Sequence, residues 1–484
     1  MSLTKDTLPG GVRPYPLKQV TRDLGTDLHW SSDSKSLHWM MGPEYFSRSL
    51  AESFSFVDGA PEELPAVDST GVSVGLTLTS DVPSGVTAIT NARVVTMNGD
   101  EVIGNGTVVV TGNRITALGT DVAVPTGATV VDAGGRTVLP GFVDAHAHLS
   151  HFFGGPVPQE NWVYSANLAF GVTTTHDPSA TTETVFTLSE MVKTGQMMGP
   201  RIFSTGTIIY GADGGFKAVV NSLDDARSHL RRMKAVGAIS IKSYNQPRRE
   251  QRQQIMQAAR ELGLMVVPEG GSTYNTNMTM IMDGHTGIEH NVPVAPLYRD
   301  VLETWRHSKT GYTPTLVVVY GGPSGERYFY EHDDVWANER LLRYVPREQV
   351  DPQSRRREKA AADEYYHDEV AAAAKVLVDQ GNTVQIGAHG QMQGLAFHWE
   401  MRMLTQGGFS PHEALRSATL HGAKYLGMDG DIGSLEVGKL ADLIIVDGDP
   451  LARIEDAENV TQVMVNGRIW DAMDLPRGAT GASW

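Results

Sequence analysis

The sequence predicts an α/β fold: a (β/α)8 barrel flanked by a small β-sandwich, with a short β-rich piece in front. Three observations predict it. Between about residues 138 and 430, short apolar runs alternate with amphipathic stretches eight times, which argues for a parallel barrel rather than an open sheet. Short β-rich runs split by Asn-Gly, Gly-Asn and Gly-Gly occur both before and after that region, as in a small antiparallel sheet. Chemically capable residues fall just after the predicted strands, where such a barrel keeps its chemistry.

Length and composition set the bounds. A chain of 484 residues is too long for one typical domain, so two or three units are expected. Hydrophobic content of 40% and charged content of 20% suit a soluble globular protein. A formal net charge of −16 argues against nucleic acid and anionic membranes as partners. With no cysteine there is no disulfide framework and no thiolate metal site. No charged head precedes an apolar run, and no apolar run approaches a membrane span, so neither a signal peptide nor a span is expected. The expectation is a soluble, cytoplasmic chain. A homo-oligomer is compatible with this sequence but not specified by it.

The chain is then read in order. Residues 1–26 are polar and Pro/Gly-rich, an irregular start. Asp27–Trp30, a Ser-Asp-Ser-Lys turn and Ser36–Trp39 read as strand, turn, strand. That unit resembles one blade piece of a TolB-like propeller, with a plain hairpin as the alternative; one blade cannot close a propeller. Gly59–Ser84 reads as a linker, so 1–84 forms an N-terminal β-rich segment. Residues 85–137 and 431–475 are assigned to the flanking sandwich, and 138–430 to the barrel. Its strands are expected at 138–145, 172–176, 201–206, 238–243, 264–268, 286–290, 314–320 and 383–388. Helices are expected at 223–236, 247–262, 357–380 and 411–425. Residues 321–356 read as a long loop, a lid or a surface excursion, and Gly211–Gly215 as a rim.

The strand ends carry the chemistry. Val138–Leu149 runs an apolar strand into His146-Ala147-His148. Strand alternation turns both imidazoles to one side, which is half of a metal site. His176 and Asp177 end the second strand, Lys242 the fourth, Glu269 the fifth, His290 the sixth and His389 the eighth. One strand-end histidine is ordinarily structural; four in one barrel point to a shared site. Tyr244 follows Lys242 and could donate to an oxyanion. Tyr320 ends the seventh predicted strand and is assigned, with Tyr244 and His285, to the pocket wall.

The Leu-Pro-Gly-Phe-Val-Asp-Ala-His-Ala-His stretch resembles the first barrel strand of the amidohydrolase superfamily, the metal-dependent hydrolases built on a TIM-like barrel. Gly433–Leu443 resembles their C-terminal sheet motif, and Gly-Ile-Glu-His their sixth strand, as in the prolidase and imidazolonepropionase-like branch. The resemblance implies a binuclear metal centre held by His146, His148, His290, His389, Glu269 and a CO2-derived carbamate on Lys242. It implies two divalent ions, zinc first, with manganese, cobalt or iron as alternatives. A hydroxide shared by the ions would cleave an amide-type bond in a peptide-like, cyclic amide, carbamate or ester substrate. The sequence departs from the family in giving Glu269 where a histidine is usual and His389 where an aspartate is usual. The two exchanges are reciprocal, but they leave the proton shuttle open among His389, Glu269, His176 and His285. Two rivals remain: a mononuclear deaminase or lactonase, and a non-catalytic binding or scaffold module.

Overall fold

The computed structural model describes residues 16–23, 25–151, 158–212, 217–271 and 273–476. Most of the predicted irregular start and Asp213–Gly215 of the predicted rim lie outside the described residues.

Parallel strands form the centre. Phe142–Asp144, Val172–Asp177 and Arg201–Ser204 pair in that order. Ile208–Tyr210 pairs with Ser240–Ser243, and that with Met265–Pro268. Gly287–Glu289 pairs with Gly311–Thr313. Backbone bonds link these groups. Thr286 N–H donates to Val266 C=O at 2.9 Å, Gln385 N–H to Tyr312 C=O at 3.0 Å, and Ala145 N–H to Ile386 C=O at 2.9 Å. Through these bonds the parallel strands lie side by side from Ile208–Tyr210 to Phe142–Asp144. Asp144, buried at the end of that strand, reinforces the junction: one carboxylate oxygen accepts from His146 N–H at 3.1 Å and Ala388 N–H at 3.2 Å. Helices such as Leu223–Ala235 and Arg249–Leu262 pack outside, burying Leu230, Met233, Ile255 and Ala259.

A second, eight-stranded mixed sheet is built from both halves of the chain. Thr137–Pro140 lies at its centre, parallel to Val86–Val95 and antiparallel to Leu443–Val446. Ile89, Val94, Val138, Leu443 and Ile445 form its core. At the front, Thr26–Trp30, Ser36–Met41, Glu44–Ser49 and Val72–Ser73 make a four-stranded antiparallel sheet.

Several expectations are corrected. The run 138–145 is two strands: Pro140 ends the first in the mixed sheet, and Gly141 passes the chain to the parallel set. An added side chain at Gly141 would meet Thr173 Oγ1 at 2.1 Å. The seventh strand is Gly311–Thr313, not 314–320. Pro314 stops the ladder, and Leu316–Val318 is a buried 3-10 turn; a short apolar run does not reveal its conformation by periodicity. Residues 383–388 carry one isolated bridge, Tyr312 to Val384. The expected helix 357–380 is His367–Asp379, preceded by a 3-10 turn at Ala362–Glu364. The 321–356 excursion is folded, with helices Gly325–His332, Glu339–Tyr344 and Arg347–Arg355. It is anchored by buried Phe329, Leu341 and Val350, and Phe329 stacks on Trp399 at 5.2 Å.

Candidate metal centre

Four imidazoles from three separate segments of the chain meet at one point. Ring centroids lie 5.0 Å apart for His146 and His148, 4.8 Å for His148 and His389, 4.9 Å for His290 and His389, and 5.0 Å for His146 and His290. His146, His148 and His389 each offer a nitrogen, all within 4.8 Å of one another. Their backbone is bent to do so. His290 and His389 have φ of +65° and +58°, and Thr315 beside them +47°; such conformations cost side-chain-bearing residues energy and gather at functional sites. Glycines clear the space. At Gly270, with φ of +72°, an added side chain would sit 1.7 Å from Glu289 C=O; at Gly390, 2.3 Å from His148 C=O.

Each imidazole is held from behind through Nδ1. His146 Nδ1 lies 2.6 Å from Glu289 Oε2, whose other oxygen accepts from the Tyr425 hydroxyl. Burial pushes the Glu289 carboxyl up to about 7, opposed by the Lys242 charge and the Tyr425 bond; as the carboxylate it accepts from both. His148 Nδ1 lies 3.3 Å from Asp177 Oδ1. Asp177 also accepts from Leu149 N–H at 3.2 Å and lies 3.1 Å from His151 Nε2. Burial opposes the charge on Asp177, but hydrogen bonds from His148 and His151 hold it well below the usual carboxylate range. His151 continues to the Tyr164 hydroxyl at 2.6 Å. His290 Nδ1 is 2.6 Å from Thr315 Oγ1, and His389 Nδ1 is 3.4 Å from Gln391 Oε1.

This outer ring leaves Nε2 facing inward. His146 Nε2 and His148 Nε2 are 3.2 Å apart. With Nδ1–H donated to Glu289 and Asp177, both Nε2 atoms carry lone pairs. Burial, then the charges of Lys242 and His290, pushes His146 well below its ordinary value. Burial, then His148 and His290, pulls His389 down to about 3. Imidazoles with converging Nε2 atoms and outward-tied Nδ1 fit a divalent cation.

Glu269 and Lys242 complete a second group beside the triad. Lys242 Nζ lies 2.6 Å from Glu269 Oε2, and His290 Nε2 3.5 Å from Glu269 Oε1. Burial opposes ionisation of Glu269, but the Lys242 charge and the His290 bond hold it far below its usual value. Tyr244 and Tyr320 stand nearby. Burial and the Glu269 charge raise both phenols, Tyr320 to about 12, so both keep their protons at neutral pH. The Tyr320 ring lies 5.7 Å from His290.

Two predicted site residues are not brought to the cluster. His176 is buried with Nδ1 3.2 Å from Ala145 C=O and Nε2 2.7 Å from Ser240 Oγ. Both nitrogens are occupied, which removes it as a proton shuttle. His285 binds Met280 C=O at 3.0 Å, and the charges acting on it are Asp283, Arg252 and Arg260; it belongs to the helix side and not to the pocket. Sequence reasoning missed Glu289, Tyr425, His151, Tyr164 and Thr315. Glu289 stood in view beside His290. Tyr425 is 136 residues away from Glu289 and carries no local signal.

The model of the Amidohydrolase family matches residues 137–470, and the chain belongs to that family. A crystal structure of a Xaa-Pro dipeptidase with methionine bound in its active site superposes with TM-score 0.62 at 22% identity, covering 80% of this chain and 100% of that one. A putative prolidase from Bifidobacterium longum gives 0.63 at 22%, covering 82% and 96%. These likenesses show the fold, which in this family is a TIM barrel. An imidazolonepropionase from Symbiobacterium thermophilum is 54% identical over 39 residues, 8% of this chain and 9% of the relative. A 5-methylthioadenosine/S-adenosylhomocysteine deaminase from Thermoanaerobacter pseudethanolicus is 44% identical over 69 residues, 12% and 16%. The matched stretches therefore span a small part of these curated relatives.

Proposed function

We propose that the protein is a metal-dependent hydrolase of an amide-type carbon–nitrogen bond. The observation that carries the reading is the convergence of two inward-facing imidazole nitrogens, His146 Nε2 and His148 Nε2, at 3.2 Å. The architecture that goes with it is a closed (β/α)8 barrel with the mixed sheet as its flanking sandwich. His146, His148 and His389 would hold one divalent ion; His290, Glu269 and a carbamate on Lys242 would hold a second. Bound there, the ions supply Lewis acidity and an activated water at neutral pH. Tyr244 and Tyr320 donate toward the oxygen that gains charge as the carbonyl is attacked. Glu269 and His389, both unprotonated at neutral pH, would relay a proton from the attacking water to the leaving nitrogen. The prolidases and imidazolonepropionase among the relatives favour an amide or a cyclic amide as substrate.

One observation favours a second reading. Lys242 as the free ammonium forms a close ion pair with Glu269, an arrangement that suits a single ion and the deaminase-like chemistry of other relatives. Metal content of wild type and Lys242→Ala separates the two. Two ions per chain, falling to one or fewer in the variant, are expected. One ion in both overturns the carbamate. Loss of amide hydrolysis on chelation, with recovery on adding Zn2+, tests the reaction itself.

A further inference from the structure

Behind Tyr320 and Asn291, which separate it from His290, lies a cavity of about 640 Å3, a volume typical of small-molecule sites. The strand Gly287–Glu289 delivers His290, and the next residues, Asn291–Leu297, turn outward to form one wall. Asn291 clamps the facing wall: its Oδ1 accepts from Tyr320 N–H at 2.8 Å, and its Nδ2 donates to Tyr320 C=O at 3.5 Å. Tyr320 is shared, lining the cavity while its ring stands 5.7 Å from His290.

The third wall is the helix His367–Asp379. Tyr366, Val370, Ala373 and Val376 recur at helical spacing and line the space, so one apolar stripe of the helix faces the cavity. Ala372 and Ala373 on this wall leave room that larger side chains would fill. Tyr366 and Val376 are each 41% exposed, giving the cavity an apolar rim. Glu369 is the one charged residue among the described lining, and it disfavours an anionic occupant.

We propose that this cavity receives an uncharged aliphatic or aromatic substituent of the substrate, joined to the amide held at the histidines. The inference rests on the amide-hydrolase reading and adds the class of amide, a hydrophobic one rather than a small or highly charged one. Each methylene seated there should strengthen binding about fourfold.

Alkyl hydroxamates, which chelate active-site metal whatever the natural substrate, provide the probe. Dissociation constants of acetohydroxamate and octanohydroxamate would be measured by calorimetry on metal-loaded protein of verified metal content. The octano form should bind wild type at least about thirtyfold more tightly. That ratio should fall below about threefold in Ala373→Phe, which fills the cavity, and in Val376→Glu, which charges its rim at a side chain already partly in solvent. A wild-type ratio below threefold, or a ratio unchanged in both variants, overturns the cavity assignment alone. Protein that takes up no metal and binds neither probe overturns the hydrolase reading, and this inference with it.

Discussion

Replacing Tyr244 by Phe removes one hydroxyl and little else, so it isolates the phenol's contribution. If that hydroxyl meets the developing oxyanion, kcat for amide hydrolysis should fall by about a hundredfold while metal content stays at the wild-type level. Equal loss of metal would assign Tyr244 to the cluster's structure instead. Glu289→Gln tests the ring behind the ligands. The amide keeps the shape but no longer fixes the proton on His146 Nδ1, and metal affinity, read by chelator competition, should drop about 10- to 100-fold. At this scale the sequence was informative for a physical reason. Strand ends are local features, so His146, His148, Lys242, Glu269, His290 and His389 could be placed by pattern, and the structure brings all six together. The left-handed conformations of His290 and His389 and the Tyr425 contact depend on distant packing, which no local pattern reports.

Elements outside the site set the response to acid. His229, on the helix Leu223–Ala235, is buried between Thr207 C=O at 3.1 Å from Nε2 and Arg232 Nη2 at 3.0 Å from Nδ1. Arg232 can only donate, so the ring must accept there and remain neutral. Burial first, and the Arg232 charge second, pull its value from 6.5 down to about 3. Between those values the unfolded chain binds the proton that the folded chain refuses. Stability is therefore complete above about pH 6.5 and is lost as pH falls toward 3, by up to about 1.4 kcal/mol per pH unit for this group. The unfolding midpoint measured against pH should fall in that window, and His229→Gln should flatten the slope. The elements were legible where amphipathic spacing was long, as at Arg249–Leu262. They were misread where a short buried valine run, Leu316–Val318, took a turn instead of a strand.

For the whole molecule, the joint between the mixed sheet and the parallel strands is decisive. Arg201 opens the strand Arg201–Ser204 and holds Asp442 through two bonds, 2.6 and 3.1 Å, while also donating to Asn466 at 3.1 Å. Asp442 is buried, and Asn466 N–H donates to it at 2.7 Å. Arg201→Ala would strand that carboxylate, with an expected loss of about 3–5 kcal/mol and a clear fall in the thermal midpoint. A neutral pair, Arg201→Met with Asp442→Asn, should recover part of it. A single variant as stable as wild type would show the two layers joined by apolar contact alone. The sheet's assembly from both halves of the chain was visible in sequence, because the same turn chemistry recurs on each side of the barrel pattern.

The division of one apolar run at Gly141 reaches into biosynthesis. Thr137–Pro140 pairs with Leu443–Val446, made long after it, and only a few residues later the same run presents His146 and His148. Contacts so distant along the chain form late and slowly. A nascent polypeptide leaving the ribosome would thus carry these two histidines long before their supporting strand is secured. Firm seating of the two imidazoles would then await synthesis of Leu443–Val446.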